Sequence, residues 1–234
     1  MKYLKLFNNE IDYDTWLKSD DFITPYVSKN KDNNYINYQK RLPLPYDKKI
    51  EYLESTGYQH IITELYGNEN IGFEVKFNFS STSSPEDSNS TTIFGARHSP
   101  SSNGLQVSAF HGGTVQYAGS LISGLAFNEI NIDYIVKLLD NGIYVNDSYR
   151  TTLNNNEFIT PNYITLFALN QNGTIIEHLS GKIYYVKFFN KLTLETLGDF
   201  IPVRKNGIGY MYDKISNKLF SNQGTGEFIL GPDK

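Results

Sequence analysis

From Phe73 to Phe79 every second residue is apolar: Phe73, Val75, Phe77 and Phe79 alternate with Glu74, Lys76 and Asn78. Successive side chains of an extended backbone point to opposite faces, so such a run buries one face of a sheet and wets the other. Ile130, Ile132, Tyr134, Val136 and Leu138 repeat the pattern against Asn131, Asp133 and Lys137 and predict a second strand. Asp140-Asn141-Gly142 then leads into Ile143-Tyr144-Val145-Asn146. An Asn-Gly pair between alternating runs predicts a hairpin whose tight primed turn holds both central residues at positive φ. Tyr163–Leu169 and Gly181–Phe189 are nearly continuous in apolar character and predict central strands covered on both faces, or faces carrying aromatic overhang. The 18 Tyr and 15 Phe suit a pleated, half-buried surface, and Asn and Gly fall between the apolar runs, where turns need them. Together these features predict an all-β chain, an antiparallel sandwich or jelly roll. The polar stretch Ser80–Thr91 cannot bury apolar surface and reads as a surface loop between two strands.

At 234 residues the chain is long enough to bury a core without staples. It has no Cys, which excludes disulfides, thiolate metal sites and a thiol nucleophile. Lys plus Arg is 21 and Asp plus Glu is 25, a net charge of −4 that argues against a nucleic-acid surface. No apolar run reaches the roughly 18 residues of a membrane span, and the first residues lack the apolar segment of a secretory signal.

Residues 1–47 differ from the rest. Asp12–Ser19 predicts a short helix with Trp16 and Leu17 on its apolar side. Residues 24–28 and 34–38 predict a hairpin across a polar turn, and alternating prolines in Arg41-Leu42-Pro43-Leu44-Pro45-Tyr46 mark an extended linker. A lone hairpin is marginal in water. The segment is therefore expected to dock, on its own sandwich or on another chain, through Trp16, Phe22, Ile23, Val27, Tyr35 and Ile36.

Tests for catalysis fail one by one. Glu10-Ile11-Asp12-Tyr13-Asp14-Thr15-Trp16 is similar to the Glu-x-Asp-x-x-Glu strand of laminarinase-like glycoside hydrolases, but Thr15 stands where the last glutamate belongs. Retaining hydrolysis needs two carboxyls roughly 5.5 Å apart, and negative charge at a helix start explains these acids as well. His60, His98, His111 and His178 show no close-set ligand spacing. Gly207-Ile208-Gly209 and Gly224-Thr225-Gly226 read as turns, not phosphate cradles. Asp140, Asp147 and Asp213 are turn acids too sparse for a strong calcium site. No catalytic residue, metal or cofactor is expected. Sugar binding needs an exposed aromatic beside amides or acids, and Tyr58, Tyr117, Tyr144 and Tyr149 are its candidates.

Three stretches carry a family resemblance. They are Ile50–Ile61 (Ile-Glu-Tyr-Leu-Glu-Ser-Thr-Gly-Tyr-Gln-His-Ile), Ile93–Arg97 (Ile-Phe-Gly-Ala-Arg), and the long tail from Gly198 through Asp213-Lys214-Ile215-Ser216-Asn217-Lys218-Leu219-Phe220 to Asp233. Residues 48–234 resemble the concanavalin A-like (LamG-like) jelly-roll domains of virion proteins from gut bacteriophages, including crAss-like phages. Asp20–Ser28 resembles the leader of such proteins. The resemblance implies a virion location and a non-enzymatic role as a capsid decoration or head fibre. It also implies docking on other virion proteins and a homo-oligomer. A tail-associated adhesin binding host surface glycans is the alternative, and a glycoside hydrolase a weaker one. The expected architecture is an anchoring segment over 1–47 and a jelly roll over 48–234, with no nucleic-acid or membrane partner.

Overall fold

The computed structural model describes the backbone of residues 4–5, 23–29 and 35–41, and residues 44–85, 90–99, 103–154 and 156–234 in full. The chain divides into two compact units, Met1–Pro45 and Tyr46–Lys234.

In the first unit β1 (Leu4–Lys5), β2 (Ile23–Lys29) and β3 (Tyr35–Arg41) form a three-stranded sheet in the order β1-β3-β2. The expected hairpin forms, with Ile23 opposite Arg41 and Lys29 opposite Tyr35. The predicted helix over Asp12–Ser19 lies outside the described residues.

The second unit contains β4 (Lys48–Lys49), β5 (Leu53–Thr56), β6 (Ile61–Asn68), β7 (Ile71–Phe79), β8 (Thr92–Arg97), β9 (Gly104–Ser108), β10 (Thr114–Tyr117) and β11 (Ser120–Ser123). It continues with β12 (Tyr134–Leu139), β13 (Gly142–Val145), β14 (Ser148–Thr152), β15 (Ile159–Leu166), β16 (Leu169–Gln171) and β17 (Thr174–Ile176). Last come β18 (Ser180–Asn190), β19 (Thr196–Lys205), β20 (Ile208–Asp213), β21 (Lys218–Phe220) and β22 (Ile229–Leu230). One sheet follows the order β11-β10-β9-β8-β15-β6, and the other β14-β13-β12-β7-β18-β19-β20-β21. The two sheets pack as an antiparallel sandwich, with a single parallel pairing, β16 on β8, among the described strands.

Alternation builds the core as the sequence predicts. Phe73, Val75, Phe77 and Phe79 are fully buried on one face of β7. The cross-strand partners of Phe73, Val75 and Phe77 on β12 are Leu138, Val136 and Tyr134. Phe94 on β8 meets Phe73 on β7 at 5.1 Å and Phe188 on β18 at 5.3 Å, both edge to face, so aromatic rings bridge the two sheets. The first half of the predicted Ile130–Leu138 strand is instead a turn. Asn131 sits at φ 61°, Ile130 and Ile132 are about half exposed, and β12 begins only at Tyr134.

The turns follow residue chemistry. Ala118-Gly119, Asn146-Asp147, Asn172-Gly173 and Asn206-Gly207 each place both central residues of a two-residue hairpin loop at positive φ. The predicted Asn141-Gly142 turn is shifted by one residue: Leu139 pairs with Gly142, so Asp140 and Asn141 form the loop, and of the two only Asp140 is at positive φ. The polar segment after Phe79 connects β7 to β8. Tyr46 is buried edge-on to Tyr212 at 5.0 Å, and Asp47 N–H donates to the Arg204 carbonyl, so both belong to the second unit.

Candidate functional site

The sheet containing β8, β9 and β10 turns Leu105, Val107, Val115 and Tyr117 into the core. Alternation therefore directs Gln106, Ser108, Thr114 and Gln116 to its opposite face, where all four are nevertheless buried. The reason is a fork in the sheet. β15 pairs with β8 only through Thr165 and Leu166. The chain then reverses at Phe167, held at φ 65°, and β16 takes over the place beside β8, with Leu169 opposite Gly95 and Gln171 opposite Arg97. The run Tyr163–Leu169, predicted as one strand, is thus two strands and the reversal between them. β17 returns along β16 and delivers Glu177, at φ 55°, beside Thr92, whose N–H donates to the Glu177 carbonyl at 2.9 Å.

A charged network closes this fork. Arg97 donates Nη2–H to Glu177 Oε1 at 3.0 Å, Nη1–H to Gln106 Oε1 at 2.8 Å, and Nε–H to Gln171 Oε1 at 2.9 Å. Gln106 Nε2 and Thr92 Oγ1 each donate to Glu177 Oε2 at 2.7 Å. The Arg97 and Glu177 side chains are each only 10% exposed. A buried ion pair is tolerable when its remaining donors and acceptors are filled, and here amide and hydroxyl groups fill them. The arrangement locks the β16–β17 hairpin to β8 and β9.

Next to the network lies an exposed aromatic pair. Ile164 and Leu166 point into the core, so Tyr163 takes the same face as the network. It stands opposite Tyr66 of β6, with ring centres 4.5 Å apart and planes tilted by 45°. Both rings are about 40% exposed (Tyr66 43%, Tyr163 39%). Asn170 Nδ2 donates to the Tyr163 carbonyl at 3.3 Å, which ties β16 to β15 at this level. Tyr66, Tyr163 and Gln171 therefore follow one another across a single face: two rings, then an amide, with the buried Arg97 behind it. That combination suits a ligand with apolar faces and hydroxyl rims.

The histidines scattered in sequence partly converge. His60, just before β6, and His178, just after Glu177, are buried with ring nitrogens 3.4 Å apart. Burial, reinforced by the neighbouring His178, pushes His60 down to about 4. Among the described residues no three His, Asp or Glu side chains are grouped to hold a metal ion.

The tyrosines named from sequence do not form one site. Tyr144 and Tyr149 are cross-strand neighbours at 5.7 Å on the β13–β14 hairpin, at the edge of the other sheet. Tyr58 is exposed in the connection before β6. Tyr117 is a correction. It is completely buried, and its hydroxyl is bound to backbone carbonyls of the β6–β7 turn, Glu69 O at 2.8 Å being the nearest, so its ring cannot cover a sugar. Of the docking residues, Ile23, Val27 and Tyr35 fall at one register parity of the β2–β3 hairpin and Ile36 at the other. Trp16 and Phe22 lie outside the described residues, as do the Glu10, Asp12 and Asp14 acids. Tyr163 escaped sequence reasoning because it opens an apolar run that reads as core, and Tyr66 because no pattern in Ile61–Asn68 singles it out. Neither a scan against protein-family models nor a search of curated proteins finds a match for this sequence.

Proposed function

We propose that this chain is a non-enzymatic virion component, a concanavalin A-like jelly-roll head held on the particle by its N-terminal segment as a capsid decoration or head fibre. The observation that supports this reading is the division of the chain. Residues 46–234 bury a continuous core running from Ile50 to Phe228, and the charged network on the sheet face is satisfied internally. The first unit offers three described strands, of which β2 is the last in its sheet order. An outer strand can add to a partner's sheet. The virion assignment itself rests on the resemblance of 50–61, 93–97 and 198–233. The test is particle assembly with a chain beginning at Tyr46. The truncated protein is expected to fold and to stay in solution while particles form without it. Normal incorporation would refute docking through the first unit.

The exposed Tyr66–Tyr163 pair beside Gln171 favours a second role that is compatible with display, adhesion to host surface glycans. Titration of purified host polysaccharide is expected to show saturable binding that falls at least about tenfold in Tyr66→Ala, the loss of one aromatic contact. Equal affinity of the variant would remove this reading.

A further inference from the structure

At one end of the sandwich three connections meet. β7 lies between β18 and β12, with Ile71 opposite Asn190 and Phe73 opposite Leu138. The register therefore gathers the β6–β7 turn, the β12–β13 turn and the start of the β18–β19 loop. Lys191 enters this corner with its N–H on the Asn70 carbonyl at 2.7 Å. Its side chain runs inward, so that the residue is only 6% exposed. Nζ lies 4.7 Å from the ring centre of the buried Tyr117 and 3.0 Å from Oδ1 of Asn141. Asn141 is fixed in turn by its own carbonyl, which accepts from Leu153 N–H at 2.7 Å.

We propose that Lys191 and Asn141 are the two halves of an intramolecular isopeptide bond, a self-formed crosslink that ties β18 to β12 across β7. Contact between Nζ and the carboxamide oxygen puts the amine beside Cγ, so the two reacting groups are already collected. A lysine becomes a nucleophile when an apolar setting favours its neutral form. Burial here draws Lys191 down to about 8, against the opposing pull of Glu69 and Asp140. In the reaction the Nζ lone pair attacks Cγ and the Nζ–Cγ bond forms. The Cγ–Nδ2 bond breaks, and Nδ2 leaves as ammonia, taking up the proton that Nζ sheds. Nothing is oxidised or reduced, and no further reactant is consumed.

Intact-mass spectrometry of the full chain tests this directly. The protein is expected to be lighter than its sequence by one ammonia. Trypsin is expected to leave residues 138–150 joined to 188–204 as one branched peptide, because an acylated Lys191 is not cleaved. Lys191→Arg and Asn141→Ala are each expected to have full mass. Asn141 precedes Gly142, and closure of an Asn-Gly succinimide also expels ammonia. A lighter protein without the branched peptide, or one whose mass deficit persists in Lys191→Arg, therefore overturns the proposal. So does a full-mass wild-type chain, and these readings need no variant to fold.

Discussion

Glu177 is the residue at which the fork should be broken. Its carboxylate accepts from Arg97, Gln106 and Thr92, all within 3.0 Å. Glu177→Ala removes all three acceptor contacts and leaves the Arg97 guanidinium, about nine-tenths buried, without a counter-charge. Breaking a buried pair by deleting one partner costs about 3–5 kcal/mol. Gln106 and Gln171 still accept from Arg97, so the lower end applies, about 3 kcal/mol. For a domain of this size that lowers Tm by about 6–12 °C. The decisive measurement is a double-mutant cycle by urea unfolding at constant m-value. Arg97→Met and Glu177→Leu each leave half of the pair behind, whereas their combination removes both charges. The double variant is expected to be no less stable than Glu177→Leu alone, with a coupling energy of about 2 kcal/mol. Strict additivity, or a loss below about 1 kcal/mol in Glu177→Ala, would show that the network is solvated and does not hold the hairpin.

Three further outcomes follow from local physics. His60 stays neutral in the folded protein down to about pH 4, while the unfolded chain takes up its proton near pH 6.5. Stability is therefore whole above pH 6.5 and falls as pH drops from there towards 4, by on the order of 1 kcal/mol after solvent screening. The urea midpoint compared between wild type and His60→Gln across that window checks it, since the variant loses this component of the slope. Gly181 lies within β18 at φ 155°, where an added Cβ meets the Asn78 carbonyl oxygen at 2.2 Å. Gly173 is at φ 90° with nothing within 4 Å. Gly181→Ala is expected to cost about 3 kcal/mol or more from overpacking, and Gly173→Ala only about 1 kcal/mol from the left-handed backbone; equal thermal shifts would contradict this. Tyr117→Phe removes the hydroxyl that holds the β6–β7 turn while keeping the ring beneath Lys191, and is expected to cost about 1 kcal/mol in chemical unfolding.

Local pattern determined much of this protein. The alternation of Phe73–Phe79 selects a half-buried strand, and Asn-Gly and Asn-Asp pairs select primed turns, because both effects act between neighbours in the chain. The hairpin of the first unit was legible for the same reason. Other outcomes were settled by tertiary contact alone. The Asn141-Gly142 signal moved by one residue because the register of β12 on β7 fixes which residues are left to turn. Ile130 and Ile132 kept the alternation of a strand but found no sheet to cover them. Tyr117 became a core residue and Tyr66 an exposed one, although composition cannot tell them apart. Arg97 and Glu177 are 80 residues apart, and Lys191 and Asn141 are 50. Their meetings depend on which strands lie side by side, and strand order is decided when the two sheets close on one core. No periodicity along the chain encodes it.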